Sequence, residues 1–492
     1  MSLIKLALPP GLRRVGTIYE AAGRWYDSNL VRWHERGSMQ PIGGWTQRTT
    51  SAMTGKARAI MTWVDNSSLR WIMVGTHSNL YAFSQTAETP SDITPALFTT
   101  GDADATSGAG YGVGPYGEST YGTPRVDNAT VQPASMWTMD TFGQVPYMMM
   151  AEDSYLYKWD LNVSNVATRV TGAPQGSAVV VTPERFIFVL GSDGDNRKVR
   201  WADQESDSDW TAGATDQAGD QVIETQGKLM CGKRIRGGTL IWTDVDVHFA
   251  TYIAQPFVYR FDRVGENCGI CSRGAAVVVG NRAMWMGLKH FYSFDGAVQE
   301  VPCEVHDAVF GDFNTTQRSK VTAFHNAEFS EGWWFYPGAA ATEIDRAVAY
   351  NYQEDTWALH SFSRLAAAAN GAFNNPIMAD SSGDLWDHET GYSYSSATPY
   401  AKSGPIELGD GDNIMRARRL IADETTAGDV NVNFITRDWP NDSETTYGPY
   451  SPANPTSVRF SARQVRLHVV GDQAVSWRWG TPRLDVIPGS KR

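Results

Sequence analysis

A lone Cys-x-x-Cys, Cys268 and Cys271, is the first spacing in this sequence that could hold a metal. A zinc site needs a second pair of ligands, and no Cys or His pair at metal-binding spacing accompanies it. Cys231 and Cys303 stand apart, so all four cysteines read as buried free thiols. Ser192-Asp-Gly-Asp-Asn196 and Gly409-Asp-Gly-Asp-Asn413 offer carboxylates to a hard cation. Neither continues to the bidentate Glu of a calcium loop, and both read as tight turns between strands. Ala379-Asp-Ser-Ser-Gly-Asp-Leu-Trp386 has the Gly and Trp of the loops common in glycan-hydrolysing propellers, but Ala and Ser occupy the hydroxyl and Asp positions. It too reads as a turn. The nine histidines are scattered, and HExxH, GxSxG and GxxxxGK[ST] are all missing. Arg13-Arg14 and Arg416, Arg418 and Arg419 are short basic groups that suit subunit contacts or solvated faces. The residues supply no catalytic set, no cofactor fingerprint and no metal site, so the expectation is a protein that is not an enzyme.

The elements around these residues are strands. From Gly227 to Gly296, apolar runs such as Leu240 to Thr243, Ala275 to Val279 and Phe291 to Phe294 alternate with Gly, Asp and Asn. Short aromatic and β-branched runs bounded by turn residues are antiparallel strands. The pattern repeats: a bulky strand, a polar turn, then a second strand ending in an aromatic. The first strands begin at Trp71, Tyr147, Phe186, Leu240, Met284, Trp334 and Ile377. From Tyr147 onward the period is about 40 to 50 residues, which matches a β-propeller blade. One small sheet cannot cover its own faces, but blades packed around an axis cover each other. The count predicts about six or seven blades.

Residues 51–399 are assigned to the propeller. Within them, residues 101–124 form a Gly/Tyr-rich insertion that cannot pack a core. It reads either as a surface loop or as one that orders against a partner, since Tyr gives contact area at little entropic cost. Residues 1–50 read as an N-terminal arm and strands packing on the body, because Pro9-Pro10-Gly11 bars a helix. Beyond Tyr400 the repeat stops, and Val465-Arg-Leu-His-Val469 alternates cleanly. Residues 400–492 are therefore assigned to a smaller C-terminal β-sandwich-like domain. The fold class is all-β. Trp25, Trp33, Tyr111, Tyr116 and Tyr121 are the candidate subunit contacts.

Hydrophobic residues make up 42% of the 492 and charged residues 20%, which fits a globular chain. The net charge of −12 argues against a general binder of nucleic acid, yet an acidic wall could let a polyanion pass without sticking. No apolar run is long enough for a spanning helix, and the start is too short in apolar residues for a signal peptide. Synthesis in a reducing cytoplasm is expected.

Three stretches resemble a known family. They are LPPGLRRVGTIYEAAGRWYDSNLVRW with PIGGW; KVRWADQESDSDW with GGTLIWTDVDVHFATYIAQPFVYRFDRVGENCGICS and AMWMGLKHFYSFDG; and VRLHVVGDQAVSWRWGTPRLDVIPGSKR. Together they resemble the packaged-DNA stabilisation proteins of short-tailed bacteriophages, the tail hub or nozzle class. The resemblance implies a structural virion protein of the tail, made in the host cytoplasm. It implies a homohexameric ring that extends the DNA channel below the portal and adaptor. It also implies contacts to the adaptor, to tail fibre or needle proteins, and to passing double-stranded DNA read without sequence specificity. The family has no catalytic residues or cofactors to transfer. Two other readings stay open: a tail-tip receptor-binding propeller, and a propeller glycan hydrolase acting on the host envelope.

Overall fold

The computed structural model describes residues 2–34, 37–107, 131–213, 216–409 and 413–491. Among them, seven four-stranded antiparallel sheets follow one another along the chain as blades 1 to 7. Their first strands are Ala57–Val64, Trp137–Phe142, Ala178–Val181, Leu229–Ile235, Ala276–Val279, Thr322–Asn326 and Ala366–Ala368. Each of these lies beside the first strand of the next blade, and the seventh lies beside the first, so the ring closes. The architecture is a seven-bladed propeller with a C-terminal β-sandwich and an N-terminal arm.

Burial on both faces explains the repeat. The second strand of blade 2, Val145–Met150, sends Met148 and Met150 into a core shared with blade 1. Its alternate residues Tyr147 and Met149 enter a core shared with blade 3. A strand sandwiched this way reads as a continuous apolar run with no alternation. Blades 3 and 4 share an aromatic core of Phe186, Phe188, Trp201 and Tyr259, in which Phe188 and Tyr259 meet edge to face at 4.7 Å.

Blade 7 is completed from the other end of the chain. Its outer strand is Trp45–Gln47, paired with Leu385–His388 in the register His388 to Trp45 and Trp386 to Gln47. Trp45 packs against His388, Tyr394 and Phe362 at 5.2, 5.4 and 5.5 Å. Three residues that the sequence reading placed in an arm are thus a structural strand of the propeller.

The sandwich has two sheets. One orders Ser2–Lys5, Arg483–Lys491, Asn413–Ile421 and Thr456–Ala462. The other is built on Gln464–Val470 and Asn431–Arg437, and Trp25–Asn29 joins its edge through Tyr400–Ser403. Val432, Phe434, Phe460, Leu467 and Val486 fill the space between. The first fifty residues therefore supply a strand to each sandwich sheet and one to the propeller.

Arg32 fastens this lacing. It lies within Val31–Trp33, which pairs with Met39–Pro41. Its guanidinium grips Glu331 of blade 6 at 3.0 and 3.1 Å, reaches Glu389 after blade 7, and lies 3.6 Å from the Phe329 ring centroid. A forked cation matched to two carboxylates supplies the hydrogen bonds that these buried charges need.

Candidate functional site

The end of the propeller at which the first strands begin gathers charged side chains from several blades. A cavity of about 220 Å³ opens there. Glu152 from the turn after Val145–Met150, Lys228 and Asp244 of blade 4, Arg273 from the blade 4–5 connection, and Arg318 and Ser319 from the approach to blade 6 line it. Solvent reaches the Glu152 side chain, yet the walls crowd its carboxyl. That desolvation pushes its pKa above the usual carboxylate range, against the pull of Arg273. Desolvation likewise lowers Arg273, whose guanidinium donates to the Met230 carbonyl. Asp244 accepts the Lys228 backbone N–H at 2.8 Å. The Ser319 hydroxyl is buried without a partner, so no base activates it. Among the described residues, no histidine lines this cavity.

Beside it, ion pairs cross between blades. Arg58, on the first strand of blade 1, is 1% exposed and donates to both Glu343 oxygens at 3.0 and 2.8 Å. Glu343 belongs to a turn of blade 6, so this pair bridges over blade 7. Lys320, fully buried, donates to Asp104 and to the Thr342 carbonyl. Against the desolvation of their site, Arg58 and Lys320 hold Glu343 below the usual range. Gln317 and Ala105 exchange two hydrogen bonds of 2.8 and 2.9 Å, tying the blade 1–2 connection to blade 6. At the other end, Arg234 of blade 4 reaches Asp140 of blade 2 across blade 3. Side chains therefore bridge non-adjacent blades at both ends of the axis.

The structure separates the residues singled out in the sequence. Trp25 and Trp33 are 3% and 5% exposed, so they are core residues of this chain and not surface contacts, a correction to their assignment. Tyr111, Tyr116 and Tyr121 lie outside the described residues. The base of their insertion is a two-residue ribbon, Thr106–Ser107 with Val131–Gln132, and Val131 lines the cavity. Burial raises the thiols: Cys231 and Cys268 to about 11, Cys303 to about 12, and Cys271 further. Such thiols carry little of the nucleophilic thiolate at neutral pH. Asp193 is neutralised within its own blade by Lys198 at 3.1 Å and Arg200 at 3.2 Å, which makes 192–196 a turn. Most of 409–413 is outside the described residues. Arg416, Arg418 and Arg419 stand on the outer face of the sandwich.

Two arrangements escaped the sequence reading. Asp380 accepts the N–H groups of Ser382 and Asp384 on one oxygen and the Trp386 indole on the other, at 2.8, 3.0 and 2.9 Å. Asp65 does the same for Ser67, Leu69 and Trp71. The shared signal is Asp with Trp six positions on, and its role is to lock a turn. Asp203, Asp209 and Asp216, in one loop of blade 3, bring carboxylate oxygens within 4.8 Å of one another. Asp203 already accepts Gln217 N–H and Asp209 accepts Thr211 N–H, so the loop's own backbone uses them.

No protein-family model and no curated protein matches this sequence. Solved structures match at the level of the fold. The Pan2 WD40 domain of Neurospora crassa is 11% identical over 70% of this chain and 95% of its own, with a TM-score of 0.40. YCF48 from Cyanidioschyzon merolae is 8% identical over 70% and 98%, with a TM-score of 0.41. Virginiamycin B lyase from Staphylococcus aureus is 6% identical over 70% and 97%, with a TM-score of 0.39. What this chain shares with them is the all-β propeller architecture.

Proposed function

We propose that this protein is a non-catalytic structural part of a bacteriophage tail. It forms a sixfold ring below the portal and adaptor that extends the DNA channel, helps retain packaged DNA and then lets it go. The identity of the particle comes from the resemblance of the three sequence stretches. The observation that favours a scaffold over a reactor is the use made of charge at the axis: buried Arg58 and Lys320, with Glu343 and the exposed Asp104, bridge blades to one another. The same bridges, with Arg234 and Asp140, reach across blades beside the propeller's own axis and argue against a duplex running along it. The channel is then the space enclosed by several copies, through a head-to-tail interface that closes on itself. Net acidity suits a wall along which DNA slides.

Native mass of the purified chain, alone and with the adaptor, tests the ring. Six copies on the tail axis are expected; a monomer that stays off the adaptor overturns the proposal. Sustained release of reducing sugar from host polysaccharide, lost in Glu152→Gln, would overturn it in favour of the hydrolase reading.

A further inference from the structure

The chain has 42 Lys and Arg against 54 Asp and Glu, yet one surface inverts that balance. It is the outer face of the sandwich sheet that orders Ser2–Lys5, Arg483–Lys491, Asn413–Ile421 and Thr456–Ala462. Burial alternates along these strands: Met415, Ala417 and Leu420 point inward, while Arg416, Arg418 and Arg419 are exposed. A bulge between Ala417 and Arg419 puts two consecutive arginines on the same side. Register extends the face. Arg483 pairs with Lys5 on one side and Ile421 on the other, and Arg459 stands exposed between inward Val458 and Phe460 on the neighbouring strand. Lys5, Arg416, Arg418, Arg419, Arg459 and Arg483 thus share one face. The sole carboxylate at an outward position among the described residues is Asp485, bound to Arg419 at 2.8 Å.

We infer that this face binds the phosphate backbone of double-stranded DNA. Five of its six cations are arginines, whose fork matches phosphate oxygens in pairs. Strands spaced about 4.8 Å apart, with same-face residues about 7 Å apart along each, spread these charges as a grid, not a point. Among the described residues the face presents no aromatic ring and so no platform for unstacked bases, which favours duplex over single strand. Leu3 is its one largely exposed apolar side chain, and Ile421 and Ile487, outward by register, are half-buried, which falls short of the broad apolar surface of an interfacial membrane binder. Its outward positions are mostly cationic, whereas the centre of a protein–protein interface is depleted of charge. Backbone contacts of this kind are blind to sequence. The face adds a grip to the conduit proposed above without resting on it: binding is read on the isolated chain and ring formation by native mass, so either can fail alone.

Fluorescence anisotropy with a labelled random-sequence duplex tests it, using the full chain over a range of salt. Binding should be independent of sequence, with log K falling against log salt at a slope of about −4 to −5 for some five phosphates. The triple variant R416E/R418E/R459E should weaken binding at least about tenfold, and R416Q/R418Q should flatten the slope by about 2. R185E/R260E, at exposed arginines on the propeller, should leave binding unchanged. All four sites of the R416Q/R418Q and R185E/R260E pairs are solvent-facing, so a matching melting temperature checks the fold. No binding at low salt, or binding that the triple variant leaves intact, overturns the inference. So does equal binding to vesicles rich in phosphatidylserine, or salt-sensitive self-association in place of DNA binding.

Discussion

His360 and His388 are the residues whose chemistry most directly links burial to measurable behaviour. His388 accepts from the Arg364 guanidinium at 2.8 Å, and His360 accepts the Leu30 N–H at 3.1 Å. Desolvation, followed by the neighbouring arginine in each case, lowers His360 to about 3 and His388 well below its usual value. In the unfolded chain both take up a proton near pH 6.5. The unfolded state therefore binds more protons as pH falls, and the stability present above about pH 6.5 drains away down toward the folded values. Each histidine contributes up to about 1.4 kcal/mol per pH unit in that window. Urea unfolding between pH 6.5 and 4 should show this loss, and His360→Asn, which keeps an acceptor but cannot titrate, should reduce its slope by about one proton. An unchanged slope would mean that His360 titrates in the folded protein.

At the scale of the elements, the closing strand Trp45–Gln47 holds the seventh blade, and its anchor is Trp45. Trp45→Ala removes ring contacts to three aromatic residues and takes from the Arg364 guanidinium the nearest of the three rings it lies against, 4.9 Å away. A loss of about 3–5 kcal/mol is expected, read as a shift of the denaturation midpoint. A shift under about 1 kcal/mol would mean that the blade closes without it. What the sequence made legible follows the same physics. The second strands of all seven blades stand out at Trp71 through Ile377 because neighbours bury both their faces. The outer strands, such as Gly219–Val222 with three exposed residues, carry no such signal. Nothing local in Trp45-Thr-Gln47 indicates a partner at Leu385–His388. Trp25 and Trp33 misled because a bulky residue near a terminus suits a contact surface as well as a core. The axial cavity was illegible, since Glu152, Asp244, Arg273 and Ser319 come from turns whose convergence depends on ring closure.

For the whole molecule, the lacing predicts one unfolding unit. A single continuous apolar cluster runs from sandwich residues such as Phe434 and Val486 through the N-terminal strands to Trp334 and Trp285 of the propeller. Arg32, gripping Glu331 and Glu389, spans the same junction. Calorimetry should give one transition, with propeller and sandwich melting together; two resolved transitions would show that the arm does not couple them.

The closure of blade 7 also sets a schedule on the ribosome. Trp45–Gln47 is made early, and its pairing strand Leu385–His388 emerges only after more than three hundred further residues. At 5–20 residues per second that is a wait of roughly 20–70 s. Throughout it the nascent chain holds an unmatched edge at its beginning and a growing, open arc of blades behind it. A holdase that shields exposed strand edges would act on this protein before its synthesis ends, and the newborn ring can seal only when the last blade arrives.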